Sequence, residues 1–389
     1  MSENMRMNDP SFAGPLMDEA RICIARGARA PAKLLLTRAL VALGETCPGE
    51  ASDRFDPKPH EELARLFLEV GEPERAVYAL GNQPEIMSPP LVRRATYEAV
   101  ADLRGGVAPV EIGSPFVRRV LRLPAFQPDD IRRTYREVAA MLDPHGAAHN
   151  ENRNLTRPPI VARDIYTICM MPRSGSNFLV KCLTDTGVLG RPGEYLHRNE
   201  PTAMPSIVAR FATATLDDVM AEVMARTRSS NGVFGIKAHI GMLLPLLVEG
   251  TFERTLTHGK FIYTTRDDLL MQAISFVRAQ MTGVWISKNE AHAEPRFDFE
   301  HIHATIGQLS EMMTQWETLF ALHGIQPLRV SYEAVNRDVD AVIARIADYL
   351  GVQLDGPTSF RNRRDTLQRD EINQEWRARF LAQIAAPTL

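Results

Sequence analysis

A chain of 389 residues, 44% hydrophobic and 24% charged, has enough apolar mass for a sizeable core and, by length, for two domains. Its formal net charge of −3 argues against a general nucleic-acid binder, and no run of residues is apolar for long enough to span a bilayer. The start, MSENMRMNDPSF, lacks the apolar core of a signal peptide, so the expected location is the cytoplasm, with peripheral contact at the inner membrane left open. Cys23, Cys47, Cys169 and Cys182 form no CxxC pair, which indicates neither a zinc site nor a disulfide framework.

Residues 1–144 read as helical. In HEELARLFLEVGEPERAVYALG (60–81), Leu63, Leu66, Phe67 and Val70 recur at helical spacing, as do Val77 and Leu80, on either side of Gly71-Glu72-Pro73. Ala76 is a small contact residue between the two halves, and the pair weakly resembles a tetratricopeptide-type unit. Residues 18–44 give a second, degenerate pair around Gly27, and 132–144 one more helix whose Arg/Glu face is read as solvated. A generic helical domain fits this half equally well, and no chemistry shows in it. The polar, proline-ended stretch 145–159 reads as a linker.

From residue 160 onward the pattern changes. IYTICMM (165–171), GVFGIKAHI (232–240), KFIYTT (260–265) and PLRVSY (327–332) are β-like runs, and helical patterns follow the first, third and fourth. Such alternation predicts an α/β fold with a mainly parallel sheet flanked by helices, preceded by the helical domain. Ligands of such sheets bind at the carboxyl ends of strands, where PRSGSN (172–177) and RDD (266–268) fall.

PRSGSN has the makings of an anion loop. Gly175 allows a tight turn, and the following helix, marked by Phe178, Leu179, Cys182 and Leu183, should start near Ser176 and offer its N–H groups and dipole. Ser174 and Ser176 are candidate hydroxyl donors, and Arg173 adds a fork of donors that stays charged. The triphosphatase spacing GxxxxGK[ST] is missing, along with its lysine, which disfavours ATP or GTP hydrolysis and a nucleotide kinase. Cys169 lies too near Arg173 for a phosphatase nucleophile and reads as packed within the strand.

PRSGSN, TGVLGRPGEYL and TTRDDLLMQAISFVRAQMTGVW, in that order, resemble the bacterial carbohydrate sulfotransferases, the family of the trehalose, Nod-factor and lipopolysaccharide sulfotransferases. The likeness runs from about Ile165 to the C-terminus and implies a P-loop-like sulfotransferase fold over 160–389. It implies 3′-phosphoadenosine-5′-phosphosulfate as co-substrate. Arg173, Ser174, Gly175, Ser176 and Asn177 would wrap the 5′-phosphosulfate, and Arg266 and Ser275 would read the 3′-phosphate. Many relatives have threonine at the position of Asn177, which can still donate a hydrogen bond.

Glu194, in GRPGEYLH, matches the family's general base, with His197 the runner-up because imidazole needs no raised pKa near neutrality. Lys237 matches a lysine near the active site and would bind donor or acceptor; the AHIG that follows replaces the bulky aromatic of many relatives, which weakens the case for trehalose itself. Arg278 and Trp285 match as well, Trp285 as core or as a sugar platform. The resemblance implies an enzyme acting on a carbohydrate or glycolipid hydroxyl, with Glu194 and Arg173 catalytic. Sulfuryl transfer demands less charge neutralisation than phosphoryl transfer, so no metal is expected, and His301 and His303 read as surface residues.

In the tail, Arg364 and Arg369 are weak donor candidates beside a plain solvated reading. The N-terminal helices could dock a protein partner or a second copy. The alternative to an enzyme is a helical interaction protein with a nucleotide-binding but inactive sulfotransferase-like domain; intact Arg173, Arg266, Ser275 and Glu194 speak against it.

Overall fold

The fold follows from two different packing problems, one for helices alone and one for helices on a sheet. A computed structural model describes residues 10–43, 56–81, 87–106, 115–142, 164–200, 202–211, 213, 215–285, 293–356, 360 and 371–385. The chain divides into one unit of residues 1–121 with 126–150 and another of 122–125 with 151–389.

The first unit holds α1 (Ala13–Ala25), α2 (Arg29–Leu43), α3 (Lys58–Glu69), α4 (Pro73–Leu80), α5 (Pro89–Arg104), α6 (Pro115–Leu121) and α7 (Pro128–Leu142). Gly27 and Gly71 take φ of 72° and 77° between paired helices, a left-handed turn that only glycine adopts without cost. Pro73 opens α4, where its missing N–H leaves no helical bond unmade. The stripe Leu63, Leu66, Phe67 and Val70 is buried as its spacing predicts, in a core shared with Leu36, Ala39 and Leu80. The expected linker 145–159 lies outside the described residues.

The second unit is built on four parallel strands, β1 (Asp164–Met170), β2 (Val233–Ala238), β3 (Lys260–Thr265) and β4 (Leu328–Ser331), in the order β2-β1-β3-β4. β1 is thus central, and β2 is buried at every residue. The residues that follow β1, β2, β3 and β4 emerge along one edge: Cys169 is in register with Ala238 and Tyr263, and Thr265 with Ser331. One sheet face, with Tyr166, Ile168, Ile262 and Val330, packs on α8 (Ser176–Asp185) through Leu179, Cys182 and Leu183. α16 (Val339–Leu350) covers it further with Val342, Ile343 and Ile346.

The remaining elements are α9 (Met204–Phe211), α10 (Leu216–Thr227), α11 (Ile240–Glu249), α12 (Thr251–Thr255), α13 (Leu269–Thr282), α14 (Phe299–His323), α15 (Tyr332–Arg337) and α17 (Glu371–Ala385). Trp316 and Phe320 of α14 pack their rings against Tyr263, with centroids 6.3 and 5.4 Å away. This is the α/β architecture that the alternation of strands and helices predicts, with a helical region before it. No described helix is long and apolar enough to cross a membrane.

Gly235 lets β2 pass close to β1. A Cβ there would fall 2.4 Å from the ring of Tyr166, and the ring cannot withdraw, because its hydroxyl donates to the carbonyl of Leu189 at 2.6 Å. Gly235→Ala should therefore destabilise this unit by about 1–3 kcal/mol through overpacking. All three tryptophans, Trp285, Trp316 and Trp376, lie in the second unit, so urea unfolding followed by tryptophan fluorescence reports on it alone. An unchanged midpoint would contradict the close approach.

Candidate active site

The loop after β1 is a short, strongly determined turn. Gly175 has φ 76° and is the residue before α8, and Arg173 has φ 59°, an unusual conformation for a residue with a Cβ. Surrounding elements hold it in that shape. The Ser174 hydroxyl donates to Met171 O at 2.6 Å and lies 2.9 Å from Thr264 Oγ1 on β3. Gln272 of α13 is buried and donates from Nε2 to Pro172 O at 2.6 Å. Arg173 itself reaches α13 and the segment beyond, donating from Nε to Ser275 Oγ at 3.0 Å and from Nη1 to Trp285 O at 2.6 Å.

Two of the expected donors are turned inward. Ser174 is 2% exposed with its hydroxyl spent within the loop, and the buried Ser176 directs its hydroxyl to Met170 Sδ at 3.6 Å. Their hydroxyls therefore hold the loop together, and the features of the loop turned to a ligand are the N-terminus of α8, which no side chain caps, and Arg173. Ser275, expected with Arg266, is bonded to Arg173 instead.

Positive charge accumulates at this edge. Arg266 follows β3 and Arg278 lies on α13; both lower the pKa of the Arg173 guanidinium, after the larger effect of its burial. Among the described residues, neither Arg173 nor Arg266 forms an ion pair. The guanidinium of Arg266 instead lies over the ring of Tyr332, 4.6 Å from its centroid, and its Nε is buried without a partner. Arg278 donates from Nη1 to Asn373 Oδ1 of α17 at 2.7 Å. Like charges drawn together without carboxylates beside two of them make a site for an anion.

The second arm of the site comes from residues 190–200 and the end of β2. The amide of Lys237 donates to Gly193 O at 3.0 Å, which fixes this segment against the strand. The Lys237 ammonium is buried and 2.6 Å from Glu194 Oε1, while the side chain of Glu194 stays 33% exposed. Lys237 also donates to Asn177 Oδ1 in the first turn of α8. One buried ammonium thus joins the anion loop to the candidate base, and the pairing offsets its desolvation.

His197 and His239 stand edge to face, with centroids 6.4 Å apart. Burial pushes the His239 imidazole down to about 4, with Glu194 opposing and His197, Arg198 and Lys237 reinforcing the shift, so it is uncharged at neutral pH. Nδ1 of His197 is buried without a hydrogen-bond partner, so that nitrogen is not the one open to a substrate hydroxyl. Trp285, expected in the core or under a sugar, is 45% exposed, with its ring edge-on to Phe276 at 5.9 Å.

The expected residues therefore fall into one region, linked by Arg173–Ser275 and by Asn177–Lys237–Glu194. Thr264, Gln272, His239 and Tyr332 join them; Thr264 and Gln272 stand within the motif that carries Arg266 and Ser275, His239 lies two residues after Lys237 and Tyr332 ends the fourth β-like run, but the sequence gives none of the four a role. His301 and His303 lie in the first turns of α14, where the His301 amide is capped by Asp298 and the His303 ring stacks on Phe299. Among the described residues no group of three or more His, Cys, Asp or Glu side chains could hold a metal. Arg364 and Arg369 lie outside the described residues.

Comparison with known proteins identifies the family. Two relatives are trehalose 2-sulfotransferases: that of Mycobacterium tuberculosis is 25% identical over 228 residues, 48% of this chain and 84% of the relative. That of Mycolicibacterium smegmatis is 26% identical over 227 residues, with the same coverage of 48% and 84%. The Stf0 sulphotransferase family model matches residues 165–383, more than half of the chain and the whole of the sheet from Ile165 onward. On that match the chain belongs to the Stf0 sulphotransferase family.

Proposed function

We propose that this protein transfers a sulfuryl group from 3′-phosphoadenosine-5′-phosphosulfate to a hydroxyl of a carbohydrate or glycolipid, with Glu194 as general base. The observation that carries the reading is the pair Arg173 and Arg266, charged, at adjacent strand ends, and without carboxylate partners among the described residues. A nucleotide with anionic groups at both its 5′ and 3′ positions supplies the missing negative charge.

The donor brings an activated sulfuryl group and a good leaving group. Arg173 and the open N-terminus of α8, with Gly175 allowing close approach and Asn177 in the first turn, hold the 5′ end. Arg266 and Ser275 hold the 3′-phosphate. As the acceptor oxygen bonds to sulfur and the bridging S–O bond breaks, the hydroxyl proton passes to the Glu194 carboxylate, and the charge left on the departing phosphate meets Arg173. The arginines offer the charge that a divalent cation offers in many phosphoryl transfers, and the reaction is read as metal-independent.

Lys237 and His197 line the acceptor side next to Glu194. The relatives, as trehalose 2-sulfotransferases, make a sugar hydroxyl the favoured acceptor class, while the residues after Lys237 speak against carrying over trehalose itself. Residues 1–144 are read as a separate helical domain that localises the enzyme or docks a partner in the cytoplasm.

The decisive experiment incubates isotope-labelled donor with native cell extract and identifies what becomes sulfated by mass spectrometry. Magnesium-dependent ATP turnover, with no transfer from the phosphosulfate, would overturn the reading.

Two variants divide the roles. Arg173→Ala should weaken binding of adenosine 3′,5′-bisphosphate by about 30-fold or more, the scale of truncating one member of a buried charge pair. Glu194→Gln should keep that affinity near native and lower kcat by about 10²–10⁴-fold, the scale of a lost general base. Calorimetric titration and single-turnover assays measure both, and native behaviour in either variant refutes its assigned role.

A further inference from the structure

Arg266 is held by an unusual set of neighbours. It leads out of β3 beside the start of α15, where Ser331 caps the helix and Tyr332 and Glu333 form its first turn. The two α15 residues grip two successive residues of the β3 end. The Tyr332 ring lies under the guanidinium of Arg266 at 4.6 Å, and the Glu333 carboxylate accepts the amide of Asp267 at 3.1 Å. Glu333 is thus spent on a backbone N–H, and the guanidinium rests on an aromatic face, which orients a planar cation without neutralising it.

The same ring touches the anion loop. A Cβ on Gly175 would fall 2.7 Å from Tyr332 Cδ2, so the ring fills the space that the glycine leaves. Tyr332 therefore sits between the loop that turns into α8 and the arginine at the end of the neighbouring strand. The Nε of Arg266, buried and without a partner, shows a fork held in place but not satisfied by protein.

Resting on the donor reading above, we propose that Tyr332 is the positioning residue that selects a 3′-phosphorylated nucleotide. Its ring holds the Arg266 guanidinium oriented toward the 3′-phosphate, at a fixed distance from the loop that takes the 5′ end. Tyrosine does this through its face, so the hydroxyl is not required. An acidic residue in its place would quench the charge that recognises the phosphate.

The test measures binding of adenosine 3′,5′-bisphosphate and adenosine 5′-monophosphate to the full chain by calorimetry, and takes the ratio of the two affinities as the readout. Tyr332→Phe should keep the native ratio. Tyr332→Ala and Arg266→Ala should each reduce it by about tenfold, the scale of one oriented charge contact, with 5′-monophosphate affinity retained as the sign of an intact loop and fold. The double variant should lose no more of the ratio than Arg266→Ala alone, because the tyrosine acts on the 3′-phosphate through the arginine. A fall of both affinities by the same factor in Tyr332→Ala would reduce the ring to a structural filler and overturn the proposal, as would an unchanged ratio. Native protein that binds neither nucleotide would instead fail the donor reading itself.

Discussion

Unneutralised positive charge at the carboxyl edge of the sheet is the constraint on which the rest of the second unit depends. Arg173 and Arg266 stand at the ends of neighbouring strands, and Arg266 and Arg278 both oppose the charge on Arg173. A fold that only needed to be stable would place carboxylates between them. Here the acidic residues nearby are turned to other work: Asp268 caps α13 through the Met271 amide at 2.9 Å, and Glu333 takes the amide of Asp267. The electrostatic strain is borne by a serine hydroxyl, a carbonyl oxygen and an aromatic face. All three orient a guanidinium while leaving its charge for a ligand.

The opposite sign of charge is treated differently. Glu194 is paired with Lys237, a buried ammonium that is also tied to Asn177 at the start of α8. The loop that would take the donor and the carboxylate that would act on the acceptor are thus connected through one side chain at the end of β2. The backbone reinforces this link, since the amide of Lys237 fixes Gly193 and with it the segment that presents Glu194. Sequence separation is no guide to this proximity: Asn177, Glu194 and Lys237 meet because β2 is the strand next to β1.

Much of the architecture was legible because strand signals here are local. Short runs with β-branched and aromatic residues mark β1 and β3 to within a residue, and the glycine after the loop arginine marks the start of α8. What the pattern did not show was α14, a 25-residue helix whose buried positions Ile302, Leu309, Trp316 and Phe320 are diluted by polar residues. The site residues were legible by type and order, but not by direction. Whether a serine hydroxyl faces a ligand or its own loop depends on Met171 and Thr264, and the latter comes from another strand. Likewise the burial of Lys237 and the depressed basicity of His239 are products of neighbours brought in by the sheet.

The hydrogen bond between Arg173 Nε and Ser275 Oγ has one more consequence. A hydroxyl that accepts from a guanidinium is polarised, and its own O–H becomes a stronger donor toward whatever lies on its far side. Ser275 can hold Arg173 and a phosphate oxygen at the same time, one on its lone pair and one on its proton. In the proposed binding mode this makes the oxygen a relay between the two ends of the nucleotide. Contact at the ribose end then stiffens the residue that meets the leaving phosphate, and the two anionic groups are felt as one ligand rather than as two independent charges.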